Sequence, residues 1–440
     1  MKLRILACLA ALWAAVPAVA QKRYIVRAPA ATVATIAAAN GLTVLHQTDV
    51  GGQVLALLGS PSGRMVVAEG ASVLAVPGMP KLEVDRDVTV PVAPGIPALN
   101  QSTVAILDAL KTRTLSSYYG DSVWTSYLNQ SVVGIIRLPE AQRLATGAGT
   151  VAVIDTGVDP NHPTLRTAVV SGYDFIRNQP GVPSEFADLS QSTVAILDDS
   201  AASLLNKNLA QVNQSTVAIL DQSTVAILDR AKIPSCFGHG TMVASLIRLV
   251  APTAKIMPLK AFQADGTGTL YDVVRAIYYA ADAGARVINM SFSIDQPSDQ
   301  LLAAISYANS RNAVCVGSAG NNGTRTLVYP AGWRAVVGVA STSATDTRST
   351  FSNYGDDLVS LAAPGEGLIV AWPGRNYAAV SGTSFSAPLV SGAAALLVDI
   401  DRDADHAQIG AWLLQAHAAG QDLGAGRLDL FQSCWAARSH

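Results

Sequence analysis

Residues 380–388 read VSGTSFSAP, and a run of small apolar residues follows them. This pattern predicts a tight turn at Gly382 and then a buried helix, with Pro388 in its first turn, where a missing N–H costs nothing. Ser384 would lie at the N-terminus of that helix, beside free N–H groups and the positive end of the helix dipole. Such a position suits a nucleophile whose reaction generates an oxyanion, although a lone serine is more often only a helix cap.

From residue 150 onwards, apolar strands alternate with helices. Such alternation predicts a parallel sheet with right-handed crossovers, and a strand that is apolar throughout, such as 151–154, is typical of a sheet covered on both faces. The fold class predicted is therefore α/β, with a central, mostly parallel sheet covered by helices on both faces. The predicted strands are 151–154, 256–259, 287–290, 314–318 and 335–340, and the predicted helices are 239–250 (amphipathic, with one buried side), 271–283 and 300–309.

The chain of 440 residues is long enough for two or three compact units. Residues 1–20 carry a positive start, a short apolar core and a small-residue cleavage site, which predicts a signal peptide. Residues 21–90 are predicted to form a small α+β domain with two helices on an antiparallel sheet. Residues 91–130 are predicted to be a linker, 131–434 the main domain, and 435–440 a tail. The net charge of −2 gives no electrostatic reason to expect nucleic acid or an anionic membrane as a partner.

An octapeptide, QSTVAILD, occurs four times without change, starting at Gln101, Gln191, Gln214 and Gln222. Only the last two copies are in tandem, so a solenoid, which needs about three stacked repeats, is not predicted. Tandem strands would keep their faces in register, yet the Ser-Thr starts also suit short capped helices, and both alternatives stay open. Three of the copies lie in a predicted insertion, residues 178–233.

Three cysteines remain after the predicted signal: Cys236, Cys315 and Cys434. An odd number allows at most one internal disulfide. Cys315 lies in an apolar run and is predicted to be a buried free thiol. A bridge between Cys236 and Cys434 is compatible with an oxidising compartment, but the sequence does not establish it. The cysteines do not have zinc-ligand spacing, so no metal site is predicted.

Three polar residues, each next to glycine or threonine, stand at predicted strand or helix ends, where α/β proteins place their sites. They are Asp155 after an apolar strand, His239 at a helix start, and Ser384. A serine hydroxyl needs a base to take its proton, and the base needs an anion to fix its tautomer. Acid, histidine, serine is one of the chain orders in which this arrangement occurs.

The segments VIDTG at 153–157, GHGT at 238–241 and SGTSFSAP at 381–388 together resemble the three signatures of the subtilisin-like serine proteases, or subtilases. The resemblance implies a subtilisin-like catalytic domain that hydrolyses peptide bonds through an acyl-enzyme. In that reading Ser384 attacks, His239 shuttles the proton and Asp155 orients His239. The segment SAGNNG at 318–323 resembles the motif whose asparagine donates to the oxyanion, which assigns that role to Asn321, with the Ser384 N–H as second donor.

The same resemblance implies partners and substrate contacts. Protein or peptide substrates would lie in a groove as an added strand, and residues 21–90 would be a propeptide that inhibits the enzyme until it is removed. The protein is then expected to be a secreted monomer without a membrane span. The implied substrate-binding residues are Gly266, Thr267 and Gly268 on one wall, Ser291, Phe292 and Ser293 on the other, and Ala319 and Gly320.

The chain departs from the family pattern after the His239 helix. Residues 249–252 follow the His239 helix at once, where subtilisins usually insert a calcium-binding loop. No cofactor is therefore expected to be required, while a weak calcium site elsewhere stays open. The segment YPA at 329–331 resembles the family motif beside the P1 pocket. The branched side chain of Val328, which precedes it, would shorten that pocket and favours small or medium apolar P1 side chains. His162 is interpreted as structural.

Three other functions are compared with this one. A lipase or esterase would need a second glycine where Ser386 stands, and a sedolisin-like acid protease lacks the GHGT motif. The main alternative is a catalytically vestigial subtilase scaffold that acts as a binding or adhesion protein through the repeat insertion.

Overall fold

The computed structural model describes residues 22–61, 73–74, 82–92, 113–189, 218–219 and 234–439. The chain divides into two compact units between Asp87 and Val88. The predicted signal peptide, the second of the two helices predicted within residues 21–90, and the repeat copies at 101–108, 191–198 and 222–229 lie outside the described residues.

The first unit is an antiparallel sheet with one described helix. Its strand order is β2-β3-β1-β5-β4, and every pair of neighbours runs antiparallel, as predicted. Inward-facing side chains such as Tyr24, Ile36 and Leu58 form its core. The elements are β1 (Lys22–Ala28), α1 (Ala30–Ala39), β2 (Thr43–Val50), β3 (Gln53–Ser60), β4 (Val73–Leu74) and β5 (Leu82–Arg86).

The second unit contains the remaining strands and helices. Its strands are β6 (Thr89–Pro91), β7 (Leu115–Tyr118), β8 (Asp121–Trp124), β9 (Thr150–Asp155), β10 (Gly172–Asp174), β11 (Gln179–Gly181), β12 (Ala218–Ile219), β13 (Lys255–Lys260), β14 (Thr267–Thr269), β15 (Val287–Met290), β16 (Val314–Ser318), β17 (Val337–Thr342), β18 (Leu361–Pro364), β19 (Leu368–Trp372) and β20 (Asn376–Val380). Its helices are α2 (Thr125–Leu128), α3 (Ser131–Ile135), α4 (Leu138–Ala141), a 3-10 turn (Glu185–Asp188), α5 (His239–Val250), α6 (Leu270–Asp282), α7 (Asp299–Ser310), α8 (Thr383–Ile400), α9 (His406–Leu413) and α10 (Leu430–Arg438).

An eight-stranded sheet forms the centre of this unit, in the order β11-β10-β13-β9-β15-β16-β17-β18. All neighbours run parallel except β10 and β11 at one edge. Helices α5 and α8 pack together against the sheet, and α6 and α7 form a second pair on it. The predicted α/β class with a mostly parallel, helix-covered sheet is therefore confirmed.

Helix α5 has the amphipathic pattern that the sequence predicts, yet neither of its sides faces solvent. All twelve of its residues are buried, because α8 and β19 cover the sides that β9 leaves free. Helix α8 is long and apolar enough to cross a membrane by length and composition, but 89% of it is buried inside this unit. Both helices are thus core helices, which explains their many small side chains.

Two predicted boundaries are wrong. Residues 113–130 were expected to belong to a linker, but they form the β7–β8 hairpin and α2, with Val123 and Tyr127 fully buried. The hydroxyl of Tyr127 donates to the carbonyl oxygen of Ser245 in α5 at 2.6 Å. The expected tail from residue 435 is mostly helix, since α10 continues to Arg438.

Only Ala218 and Ile219 of the third repeat copy are described, and they form a strand. They pair antiparallel with Ala379 and Ala378 of β20. At these two positions, of the alternatives left open, the extended conformation is the one observed.

The three cysteines in the described part of the chain are free and buried, so the bridge between Cys236 and Cys434 is not formed. Cys315 is a buried free thiol, as predicted. Burial raises the pKa of the Cys315 thiol to about 12 and that of Cys236 to about 11.

Candidate active site

Asp155 and His239 meet at the carboxyl edge of the central sheet. Asp155 is the last residue of β9, and His239 is the first residue of α5. The Nδ1 atom of His239 lies 2.8 and 3.0 Å from the two carboxylate oxygens of Asp155, and both side chains are 1% exposed. The backbone N–H of Thr156 donates to Asp155 Oδ1 at 2.8 Å. These contacts hold the imidazole in one orientation, with its Nε2 atom directed away from the carboxylate.

Ser384 is the second residue of α8, but the reason is not the one predicted. The helix begins at Thr383, so Pro388 lies inside it rather than in its first turn. Proline has no N–H, so the Ser384 carbonyl lacks its usual partner four residues on. The hydroxyl of Ser291 donates to that carbonyl instead, at 2.9 Å. This substitute bond allows the helix to start early enough to place Ser384 at its N-terminus.

His239 contacts Phe385, the residue after Ser384, and no hydrogen bond joins His239 to Ser384 in this structure. The rings of His239 and Phe385 are 5.4 Å apart between centroids. The Ser384 hydroxyl donates to the carbonyl oxygen of Ser291 at 3.3 Å. Among the described residues, the buried His239 Nε2 atom has no hydrogen-bond partner. Catalytic hydrogen bonds are often loose before substrate binds, and a rotation of the serine side chain would redirect its hydroxyl.

Asn321 is held beside Ser384 with its amide orientation fixed. Its carbonyl oxygen accepts hydrogen bonds from the N–H and the hydroxyl of Thr383, both at 2.9 Å. The amide nitrogen therefore points the other way, and it lies 3.5 Å from the position that a Cβ on Gly382 would occupy. An N–H donor is thus available next to the Ser384 backbone, where an oxyanion donor is required.

The predicted groove wall at Gly266, Thr267 and Gly268 is paired with an extended segment of the same unit. Strand β6 runs antiparallel to β14, with Val90 opposite Gly268. The N–H of Val92 also donates to the carbonyl oxygen of Gly266 at 2.8 Å. Residues 89–92 therefore occupy this wall through main-chain bonds, in the manner of an added strand.

The residues predicted for the second wall of the groove (291–293), together with Ala319 and Gly320, are largely buried. Phe292 is 2% exposed and packs on Phe262, with ring centroids 5.3 Å apart. Ser293 is half-buried, and Ala319 is fully buried. The Gly320 N–H donates to the Thr383 hydroxyl at 3.1 Å. The assignment of Ser291, Phe292, Ser293, Ala319 and Gly320 to substrate binding stays a prediction.

Glu185, which no sequence pattern marks, lies directly behind the Asp155–His239 pair. Glu185 is fully buried, and its carboxylate accepts hydrogen bonds from Thr156, Gly240 and Thr241. Burial raises the pKa of Glu185 to about 7, although its hydrogen bonds from the two threonines act in the opposite direction. The segment 178–189, predicted to be part of an insertion, therefore contributes to the site.

Lys260 is a second buried charge that the sequence did not reveal. Its ammonium group donates to the carbonyl oxygens of Thr156 and Phe262 and to Asp188 Oδ2, at 2.5, 2.9 and 2.7 Å. It sits in an apolar strand with no signal for a special role. Lys260 fixes the backbone immediately after Asp155.

His162 is structural, as interpreted from the sequence. Its Nδ1 atom accepts a hydrogen bond from the Thr164 N–H at 3.1 Å, so its Nε2–H donates to the carbonyl oxygen of Asn376 at 2.9 Å. Burial lowers the pKa of His162 to about 4. The ring is therefore neutral at pH 7. Among the described residues, no group of three or more His, Cys, Asp or Glu side chains could hold a metal ion.

Comparisons with known proteins agree with this geometry. The model of the subtilase family matches residues 147–430. The thermophilic serine proteinase of Bacillus sp. (strain AK1) is 34% identical over 263 residues, covering 58% of this chain and 53% of that protein. Thermitase of Thermoactinomyces vulgaris is 33% identical over 282 residues, covering 62% of this chain and 82% of that protein. The chain thus spans about half of the first relative and most of the second.

Solved structures show the same fold. The crystal structure of fervidolysin from Fervidobacterium pennivorans, a keratinolytic enzyme related to subtilisin, superposes with a TM-score of 0.66 at 23% identity. That match covers 94% of this chain and 61% of fervidolysin. A protease from Pseudoalteromonas arctica gives a TM-score of 0.53 at 26% identity, over 69% of this chain and 94% of its own.

Proposed function

Because the chain belongs to the subtilase family, we propose that it is a serine endopeptidase in which Ser384, His239 and Asp155 form the catalytic triad. The observation that carries this proposal is the buried hydrogen-bonded pair of Asp155 and His239 beside a serine at a helix N-terminus. A structural histidine would use both ring nitrogens, as His162 does. His239 instead keeps one nitrogen without a partner among the described residues.

The proposed reaction follows from the positions of these groups. The Ser384 hydroxyl adds to the carbonyl carbon of the scissile peptide bond while His239 Nε2 takes its proton. The negative charge that develops on the carbonyl oxygen is stabilised by the Asn321 amide and the Ser384 N–H. The imidazolium then gives its proton to the departing amine, leaving an acyl-enzyme on Ser384. Water attacks this ester through the same steps and releases the acid.

Substrate is proposed to bind along Gly266–Gly268 as an extended strand. The support for this is that residues 89–92 already pair with β14 through backbone bonds, without needing a particular side chain. Residues 21–90 are accordingly proposed to act as a propeptide whose end occupies the groove until it is cut away. The predicted signal peptide supports export to the periplasm or medium, where the mature enzyme would act.

Autocatalytic maturation provides the test. The purified wild-type protein should separate into two pieces, cut between residues 91 and 113, before the β7–β8 hairpin, as gel analysis and mass spectrometry would show. The matched Ser384→Ala protein should stay as one chain after removal of the signal, because no acyl-enzyme can form. Efficient cleavage of Ser384→Ala at the same bond, in a host lacking other proteases, would contradict the proposal.

A further inference from the structure

A second carboxylate, that of Glu185, is hydrogen-bonded to the residues that directly follow the acid and the base of the proposed triad. Its Oε1 atom accepts from the Thr156 hydroxyl at 2.5 Å and from the Gly240 N–H at 3.1 Å. Thr156 follows Asp155 in the chain, and Gly240 follows His239. The Oε2 atom accepts from the Thr241 hydroxyl. Glu185 therefore holds the end of β9 against the start of α5.

The Thr156 hydroxyl lies between the two carboxylates and has only one proton to give. It accepts from the Gly240 N–H at 3.0 Å, and it faces Glu185 Oε1 at 2.5 Å and Asp155 Oδ1 at 3.3 Å. When Glu185 is ionised, the proton goes to the nearer oxygen, that of Glu185. When Glu185 is protonated on Oε1, it donates to Thr156, and the Thr156 proton turns to Asp155.

Both consequences of that protonation act in the same direction. The negative charge behind Asp155 disappears, and Asp155 gains a hydrogen bond that draws off part of its own charge. An imidazolium at His239 is then less stabilised. An ionised Glu185, in contrast, favours the imidazolium.

The charged and titratable groups around Glu185 leave its charge without a direct counterion. They are Asp155 from β9, His239 from α5, Lys260 from β13 and Asp188 from its own turn. The Lys260 ammonium is paired with Asp188 at 2.7 Å, and Asp188 also receives Arg177 at 2.6 Å. In the described part of the chain, Glu185 itself has no ion pair within 4.0 Å.

We propose that Glu185 is a positioning residue for the triad and that its charge sets the pH below which His239 stops acting as a base. The inference rests on the proposed function. Burial brings the pKa of Glu185 to about 7, so this charge changes within the range in which such a base works. Proton release from Glu185 and His239 is then coupled. The fall of kcat/KM at acidic pH therefore reports the titration of both groups together rather than of His239 alone.

The test compares kcat/KM against pH for the wild type, Glu185→Gln and the control Glu140→Gln, on an uncharged peptide anilide. Gln fits the site with its carbonyl oxygen toward Thr156 and Gly240, so the charge is lost, while the Thr241 hydroxyl, which donated to Oε2, accepts from the amide instead. The acidic limb of Glu185→Gln should move to lower pH by roughly one unit. The half-exposed Glu140 of α4 should leave the limb in place. An unchanged limb in folded Glu185→Gln overturns the proposal, because a purely structural role would lower only stability.

If Glu185→Gln does not fold, NMR titration of the wild type tests the same coupling. In the wild type, the Nδ1 proton resonance of His239 should show two titration steps between pH 4 and 9, one for each group. A single step overturns the proposal. The proposed function fails separately, through activity retained by Ser384→Ala. An inactive Ser384→Ala with an unshifted Glu185→Gln limb refutes the role of Glu185 alone.

Discussion

A single methyl group at Gly240 should separate the acid from the base. A Cβ built there lies 2.0 Å from the carbonyl oxygen of Gly157 and 3.2 Å from the Cβ of Asp155. Ordinary contact begins at 3.4 Å, so the start of α5 and the turn after β9 must move apart by about 1.4 Å. The atom that is struck belongs to the backbone, and no rotation of a side chain relieves the contact.

The separation acts directly on the bond between His239 and Asp155. These atoms are now 2.8 and 3.0 Å apart, and an added 1.4 Å takes both distances beyond hydrogen-bond range. A misplacement of about 1 Å near reacting groups can reduce a rate by about 10²-fold, which corresponds to about 2.7 kcal/mol. Gly240→Ala should therefore lower kcat at least this much, with KM nearly unchanged.

The assay measures kcat and KM on a peptide anilide, with circular dichroism to establish that the variant is folded. Gly410→Ala in α9 is the matched control, because a Cβ there meets nothing within 4 Å. That control should keep full activity and gain about 0.5–1 kcal/mol of stability from higher helix propensity. A folded Gly240→Ala protein with kcat within threefold of the wild type would refute the reasoning.

Three further changes test other parts of the site. Asn321→Ala should lower kcat by about 10²–10³, the loss known for the equivalent donor of subtilisin, and steady-state kinetics showing a change only in KM would contradict the oxyanion role. Burial raises the pKa of Glu185 from 4.5 to about 7, so its protonated form stabilises the folded state below pH 4.5, and this stabilisation is lost as the pH rises through 7. Urea unfolding should therefore show the wild type losing about 3 kcal/mol relative to Glu185→Gln between pH 4.5 and 7.5, and a difference independent of pH would contradict this. Replacing residues 191–229 by a short glycine-serine bridge should keep hydrolysis of a small substrate within about tenfold of the wild type, whereas a folded but inactive protein would show that the repeats shape the site.

The sheet and its helices were predictable because their signals are local. The strands β9, β15 and β16 are continuous apolar runs, and α6 and α7 follow between them with helical periodicity. The three strands before Ser384, β18 to β20, were missed. They are only four or five residues long, and short segments that contain glycine separate them.

The errors have a common physical cause, which is contact between distant parts of the chain. The start of α8 was misjudged because the hydroxyl that replaces the missing proline N–H comes from Ser291, 93 residues away. Glu185 carries no periodic pattern, and its partners Thr156 and Thr241 lie 29 and 56 residues from it. The contribution of Glu185 to the site therefore depends on the folded arrangement of β9 and α5 and cannot be seen in the sequence.

If Ser384 is an activated nucleophile, a serine-directed fluorophosphonate should label it, and this labelling is a direct test of the proposed chemistry. Activated serines react quickly with such reagents because the general base and the oxyanion donors act on the phosphonyl group as well. The processed wild type should be labelled rapidly on Ser384, as peptide mass spectrometry would show, whereas Ser384→Ala and His239→Ala should not be labelled. A folded wild type that remains unlabelled, or a His239→Ala protein that reacts as fast as the wild type, would contradict the account and favour a binding protein on a vestigial scaffold.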